Sequence, residues 1–198
     1  MPKKALGPTT NLYPMPTLLL AVRTGEDSAN ILTIAWTGIV GNGPALLALR
    51  IGGFHYSAPF IDREMSFTVN IPSSRQAVGA DYCGLVSGHE DSDKAATCGW
   101  TLLPATHIAS PIIAECPLNM ECRVVYKHPI GRGAIYIAEI LETYVDEELL
   151  DEEGEIDAAL LDPLIFAPPR GYYRLGERVG TAWELGRALQ HPPSEGPQ

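Results

Sequence analysis

In Ser87–Lys94, SGHEDSDK, a Ser-Gly pair and a Lys enclose Glu90, Asp91 and Asp93. Read as a helix start with Ser92 as N-cap, the segment puts Lys94 in the first helical turn. A cation there faces the positive end of the helix dipole, at a cost of roughly 0.3–1 kcal/mol. A bound anion would reverse the sign of that local field, with the Ser87 hydroxyl and the Gly88 backbone N–H as further donors. The alternative needs no ligand: Lys94 pairs with Asp91 or Asp93, or reaches into water. Two other stretches bear on the choice. LRIGGFHYSAPF sets Arg50, His55 and Ser57 just past a strand, with Gly52 and Gly53 permitting close backbone approach. TIAWTG ends another strand on Trp36 and Thr37. Each also has an ordinary structural reading, Trp36 in the core and Arg50 on the surface.

Other chemistry is missing. No G-x-S-x-G elbow, Walker loop, H-E-x-x-H or G-x-G-x-x-G occurs. His55, His89, His107, His128 and His191 are scattered without metal-ligand spacing, so no metal site is expected. Cys83, Cys98, Cys116 and Cys122 form no C-x-x-C pair, which argues against both a zinc ribbon and a disulfide scaffold. An enzyme built from this sequence takes its reactive atoms from a cofactor.

The chain has 198 residues, 45% hydrophobic and 19% charged, enough for one domain with a proper core. Its net charge of −10 is local. Residues 142–157 hold nine of the 24 acids and no base, leaving 15 acids against 14 bases elsewhere. That run reads as a solvated loop or as a docking surface for a basic partner. Nucleic acid is disfavoured, because phosphate contacts need clustered Lys and Arg. The N-terminal MPKKALGPTT has charge but no apolar stretch behind it, and TLLLAV is too short to span a bilayer. A soluble, reducing, cytoplasmic setting is the expectation.

The elements that must carry these residues are mostly strands. TLLLAVRT is an apolar run closed by the turn GEDSAN. NILTIAWTG alternates, with Ile31, Thr33, Ala35 and Thr37 on one face and Leu32, Ile34 and Trp36 on the other. PALLALRIG and SFTVNIP are further strands, and NMECRVVYK and AIYIAEILETYV flank HPIGRG as a long hairpin. RGYYRLG is a last short strand. Short helices are predicted in SAPFIDRE with Ser57 as N-cap, in SSRQAVGADYCG with Ser73 and Gln76 at capping-box spacing and an end at Gly84, in SDKAATCG, in DAALLDPL and in TAWELGRALQ. Residues 190–198 read as a frayed tail. The fold class is mainly β, a closed or nearly closed barrel with a few short helices, in a single domain over 1–198 with its core at about 11–176.

The order and spacing of YPMPTLLLAV, NILTIAWTG, LALRIGGFHYSAPFI, SFTVNIP, DYCGLVSGHEDSDK, ECPLNMECRVV and IYIAEI resemble the flavin reductase-like, FMN-binding split-barrel family, its flavoredoxin branch in particular. The resemblance implies a split β-barrel that dimerises and holds FMN near the subunit interface. It implies that Thr33, Ala35, Trp36 and Thr37 line the flavin and ribityl chain, and that Arg50, His55 and Ser57 lie on the phosphate side. Asn70, Cys83, Ser87 and Gly88 would complete the pocket. Lys94, from the family's DK pair, would meet the phosphate, an interaction worth roughly 1.5–3 kcal/mol. Two features depart from the family pattern: Ala95 stands where Phe often follows DK, and GRGAIYIAEI lacks the hairpin His.

The activity so implied is hydride transfer from NAD(P)H through FMN to an acceptor, which requires no protein nucleophile. Two alternatives stand beside it: an FMN-holding electron carrier with little nicotinamide activity, serving an electron-transfer protein, and a flavin-free binding module using the acidic 142–157 segment. Cys83 is either a redox participant or, as buried thiols commonly are, inert packing, and Cys116 and Cys122 read as packing residues.

Overall fold

Leu18 to Val22 offers water no polar face, and every one of these residues is buried. The computed structural model describes residues 1–190. Its strands in chain order are β1 (Met15–Pro16), β2 (Leu18–Arg23), β3 (Ala29–Ile34), β4 (Thr37–Asn42), β5 (Ala45–Gly52), β6 (Ser66–Ile71), β7 (Leu102–Leu103), β8 (Ile112–Ile113), β9 (Leu118–Ile130), β10 (Gly133–Val145), β11 (Ile165–Ala167) and β12 (Gly171–Tyr173). The helices are α1 (Ala58–Glu64), α2 (Ala77–Leu85), α3 (Lys94–Cys98) and α4 (Ala158–Leu161).

Seven strands form one antiparallel sheet in the order β3-β2-β6-β9-β10-β5-β4. Leu32 and Ile34 of β3, at one edge, share an apolar cluster with Leu47, Leu49 and Ile51 of β5, next to the other edge. Strands so far apart in the sheet can share a core only if the sheet rolls up, and this gives the split barrel. The opposite faces of β2 and β3, with Leu19, Ala21 and Ile31, pack under α2 and α3 against Ala80, Cys83 and Ala95. Burial on both faces is why TLLLAV is continuously apolar rather than alternating. Each fully buried Leu or Ile there stabilises the fold by about 1.5–3 kcal/mol.

NILTIAWTG alternates as expected but is two strands. β3 ends at Ile34, and Ala35–Trp36 makes a corner in which the Thr37 N–H bonds the Ala35 carbonyl at 3.1 Å. Trp36 is therefore 47% exposed rather than in the core. The long hairpin forms, but its turn is tighter than HPIGRG suggests. His128, Pro129 and Ile130 stay in β9, paired with Ile135, Ala134 and Gly133. The β6 partnership of β9 ends at Arg123, so Pro129 stands where one side of the strand is unpaired, which tolerates a missing N–H.

The capping box of Ser73 and Gln76 is present and opens a 3-10 turn that leads into α2, which runs to Leu85. Ser57 occupies the N-cap of α1 but does not cap it, because its Oγ accepts a bond from Asn30 Nδ2. The cap of α3 is Asp93, not Ser92: its carboxylate takes the Ala96 N–H at 3.1 Å. With only five residues, α3 has too little dipole for the anion argument built on it. DAALLDPL gives α4, and RGYYRLG contains β12, which pairs through β11 with β1 in a second, three-stranded sheet. TAWELGRALQ contributes only a 3-10 segment, Leu185–Leu189. The acidic run starts inside β10 and is pinned by buried Leu149, so it is not simply a loop. The expected frayed tail from 190 lies, beyond Gln190, outside the described residues. No helix among the described residues is long and apolar enough to cross a membrane.

Candidate functional site

The strand β3, the β5–α1 turn, the C-terminal half of α2 and the loop into α3 converge on a cavity of about 230 Å³. Of the residues singled out in the sequence, Thr33, His55, Ser57, Cys83, Ser87, Gly88 and Lys94 line it. Thr33, Gly84 and Leu85 also wall a second cavity of about 330 Å³, which includes Ala35.

Lys94 is the most informative of these residues. It is 2% exposed, yet neither alternative reading of its charge holds. Among the described residues no carboxylate pairs with it. Asp91 is engaged by the Tyr82 hydroxyl and the Thr97 hydroxyl, both at 2.8 Å, and Asp93 caps α3. The ammonium donates instead to the carbonyls of Ile31 at 3.0 Å and Cys83 at 3.2 Å. An ammonium has three donors, so one remains at the cavity wall. Burial holds the Lys94 pKa below its usual value. A buried cation without a counter-ion is costly unless a ligand supplies one.

His55 continues the pattern. Burial first, then the charges of Arg50 and Lys94, lowers its pKa, and its Nδ1 has no partner. Asn30 donates Nδ2 to Ser57 Oγ at 2.7 Å and leaves a buried Oδ1 unpaired. Gly88 lets the backbone close on this corner, because a Cβ there would lie 2.2 Å from the Tyr56 ring and 2.5 Å from Asn30 Oδ1. The Thr33 hydroxyl donates to the Ala80 carbonyl, tying β3 to α2. Burial pushes the Cys83 thiol up to about 12, so it is protonated and unreactive as a nucleophile. Cys116 and Cys122 are likewise fully buried.

The remaining sequence-selected residues lie elsewhere. Arg50 lays its guanidinium 5.4 Å from the Trp36 ring centroid, beyond the cavity wall, and Thr37 Oγ1 donates to the Ala48 carbonyl. Asn70 is not brought to either cavity. It is fully buried and saturated: Nδ2 donates to Leu19 O and Thr68 Oγ1, and Oδ1 accepts from Ile113 N and Asn119 Nδ2. Its polarity ties β2, β8 and β9 together. Sequence reasoning missed Asn30, Thr17, Asp81, Phe166 and Tyr172. Asn30 had a signal, an amide at the head of an apolar alternating strand. The others come from distant segments that meet only in the fold.

The first cavity can hold an anion at Lys94 and the Ser57 and Ser87 hydroxyls, and can accept a ligand hydroxyl at Asn30 Oδ1. It holds no activated nucleophile, and no three His, Cys, Asp or Glu side chains among the described residues are grouped to hold a metal ion. These features fit a phosphorylated, hydroxyl-bearing ligand.

Comparison with known proteins bears on which ligand. The family model described as Flavin reductase like domain matches residues 10–176. The chain is similar to the flavoredoxin of Desulfovibrio vulgaris (Miyazaki F), with a TM-score of 0.87 and 35% identity, covering 93% of this chain and 99% of that one. The flavoredoxin from Methanosarcina acetivorans gives a TM-score of 0.85 at 30% identity, covering 94% and 100%. A protein of Archaeoglobus fulgidus is 28% identical over 146 residues, 74% of this chain and 81% of that protein.

Proposed function

The chain belongs to the flavin reductase-like family, and from that premise we propose that it is an FMN-holding oxidoreductase that takes a hydride or electrons from NAD(P)H and passes them to an acceptor. The observation that carries this reading is the buried, unpaired ammonium of Lys94 in the wall of a cavity with open polar groups. Lys94 meets the FMN phosphate with its third N–H, helped by the Ser57 and Ser87 hydroxyls and the Gly88 backbone. Neutral His55 presents its open Nδ1 on the same side, and Arg50 adds positive potential from outside the wall. Asn30 Oδ1 takes a ribityl hydroxyl, and Thr33 and Ala35 guide the chain toward the corner at Trp36 and Thr37. FMN, when bound, supplies the hydride-accepting chemistry that the side chains lack. The protein's part is to bind it, orient it and keep water from one face.

The reading extends to the whole chain as one such domain, working in the cytoplasm as a homodimer. Its four cysteines are free thiols, in keeping with a reducing compartment. The test is a titration with FMN, followed at ~450 nm, where oxidised flavins absorb. Wild-type protein is expected to bind, and Lys94→Ala to weaken binding by about tenfold or more, the loss of one charge-assisted hydrogen bond. Unchanged affinity in Lys94→Ala removes the phosphate assignment. A second reading, an electron carrier with little nicotinamide activity, is favoured by the similarity to two flavoredoxins. Oxidation of NADH or NADPH with excess FMN supports the reductase, and its absence supports the carrier.

A further inference from the structure

His55 is placed to carry a charge that its surroundings in the free protein oppose. It lines the first cavity, and its Nδ1 is buried with no partner in the protein. The residue is firmly held. Its backbone N–H donates to the Gly52 carbonyl at 3.0 Å, its own carbonyl accepts the Ala58 N–H at 3.0 Å, and the Phe54 ring meets the imidazole edge to face at 4.4 Å. The charges that act on it, Arg50 from β5 and Lys94 from α3, are both positive. The acids of the adjoining elements are engaged elsewhere. On α1, Asp62 takes Lys127 and the Tyr136 hydroxyl, and Glu64 takes Arg23 and Arg63. In the loop before α3, Glu90 accepts the Ser87 N–H, Asp91 accepts the Tyr82 and Thr97 hydroxyls, and Asp93 caps α3. His89 of that loop packs its ring on Tyr56 at 4.6 Å, and α2 brings to this cavity the protonated thiol of Cys83.

A proton on His55 in the free protein would add a third cation to a corner with no anion, so the imidazole stays neutral. A phosphate dianion inverts that balance. Lys94 already gives two of its three N–H groups to the Ile31 and Cys83 carbonyls, and Arg50 stands beyond the wall. Two negative charges then face one direct cation, and the open Nδ1 is the group on that wall that gains most from a proton. We propose that binding FMN draws a proton from solvent onto His55, which becomes the phosphate's second cationic partner, so that the cofactor is held more tightly as pH falls. The proposal rests on the flavin reading above. The ligand also adds burial, which opposes the proton. His55 is already half-buried, however, whereas the dianion brings two unit charges to the same poorly solvated wall, and the charge outweighs the added burial. The ligand's own titration has the opposite sign. A phosphate monoester loses its second proton near pH ~6, and a cationic site favours the dianion, so the phosphate releases protons on binding. Net uptake therefore comes from the protein.

The experiment is calorimetry of FMN binding to the full-length, flavin-free protein at pH ~7, in buffers of different ionisation enthalpy, where the slope of heat against that enthalpy counts the protons exchanged. Wild-type protein is expected to take up roughly half a proton, and its FMN affinity to rise about three- to fivefold from pH ~8 to pH ~6.5. In His55→Gln the uptake is expected to fall to near zero and the affinity to lose its slope, whereas His89→Gln keeps both. Circular dichroism reports folding, and His55→Asn repeats the test should the Gln variant not fold. Wild-type protein that binds FMN with no net uptake, or with release, overturns the proposal whatever the variants do. Uptake that persists unchanged in a folded His55 variant assigns the proton to Lys94 or His89 and overturns it too. Wild-type protein that binds no FMN overturns the underlying flavin reading, a separate result.

Discussion

His55 shows how a single residue reports on its surroundings. Its pKa lies below the ordinary 6.5, chiefly through burial and then through Arg50 and Lys94. Between that lowered value and 6.5 the unfolded chain binds more protons than the folded one, so stability rises with pH across this window. Thermal midpoints of ligand-free protein are therefore expected to fall as pH is lowered from 7 through 6 and below, and His55→Gln to flatten part of that slope. Equal slopes in the two proteins would mean that His55 titrates as it does in the unfolded chain. Gly88 reports on space rather than charge. A methyl there meets the Tyr56 ring at 2.2 Å, and that ring is held between Phe60 and His89, with centroids 5.0 and 4.6 Å away. Gly88→Ala is expected to destabilise the protein by about 1–3 kcal/mol through overpacking, seen as a lower urea midpoint, and to weaken FMN binding as the corner opens. An unshifted midpoint would show that the loop moves aside freely.

Among the elements, legibility tracked how local the determining physics is. The capping box at Ser73 and Gln76 needs only four residues of sequence, and it is present. The alternation of Ile31, Leu32, Thr33 and Ile34 needs only the strand period, and it sorts these residues to the two faces of β3. The break at Ala35–Trp36 is not local, since it depends on β4 crossing to pair with β5 after the corner. The Asp93 cap and the Ser57–Asn30 bond likewise depend on which acceptor wins in three dimensions. The candidate site divides the same way. Residues carried by the contiguous stretches at 55–57 and 83–94 meet in one cavity. Asn70, placed by resemblance, is diverted to the core because four polar groups on four strands, its own included, need it. Asn70→Ala leaves Ile113 N–H and Leu19 O without their side-chain partner, and a buried unsatisfied group costs about 1–3 kcal/mol. The variant is expected to lose at least that in urea unfolding while its folded fraction binds FMN with wild-type affinity. A selective loss of FMN affinity at normal stability would return Asn70 to the binding site.

At the scale of the whole molecule, the sheet poses a question that one chain does not answer. β4 is an edge strand, and it exposes Ile39 at 64% and Val40 at 55%, beside Trp36. Edge strands that carry apolar residues invite pairing with another chain unless something covers them. The far half of β9, past its partnership with β6, adds exposed Val125, Tyr126 and Ile130. This distribution supports the homodimer proposed above, with the corner at Trp36 close to the covered face. Sedimentation equilibrium is expected to give twice the 21.4 kDa chain mass for wild type, and half of that for the double variant Ile39→Lys, Val40→Lys. Because Lys is tolerated on an exposed edge, the variant should keep its thermal midpoint once dilution of the dimer is allowed for. If the pocket is completed at the interface, the monomeric variant loses FMN affinity while the Lys94 cavity stays intact. If wild-type protein sediments as a monomer, the apolar edge needs another cover and the site must function within one chain.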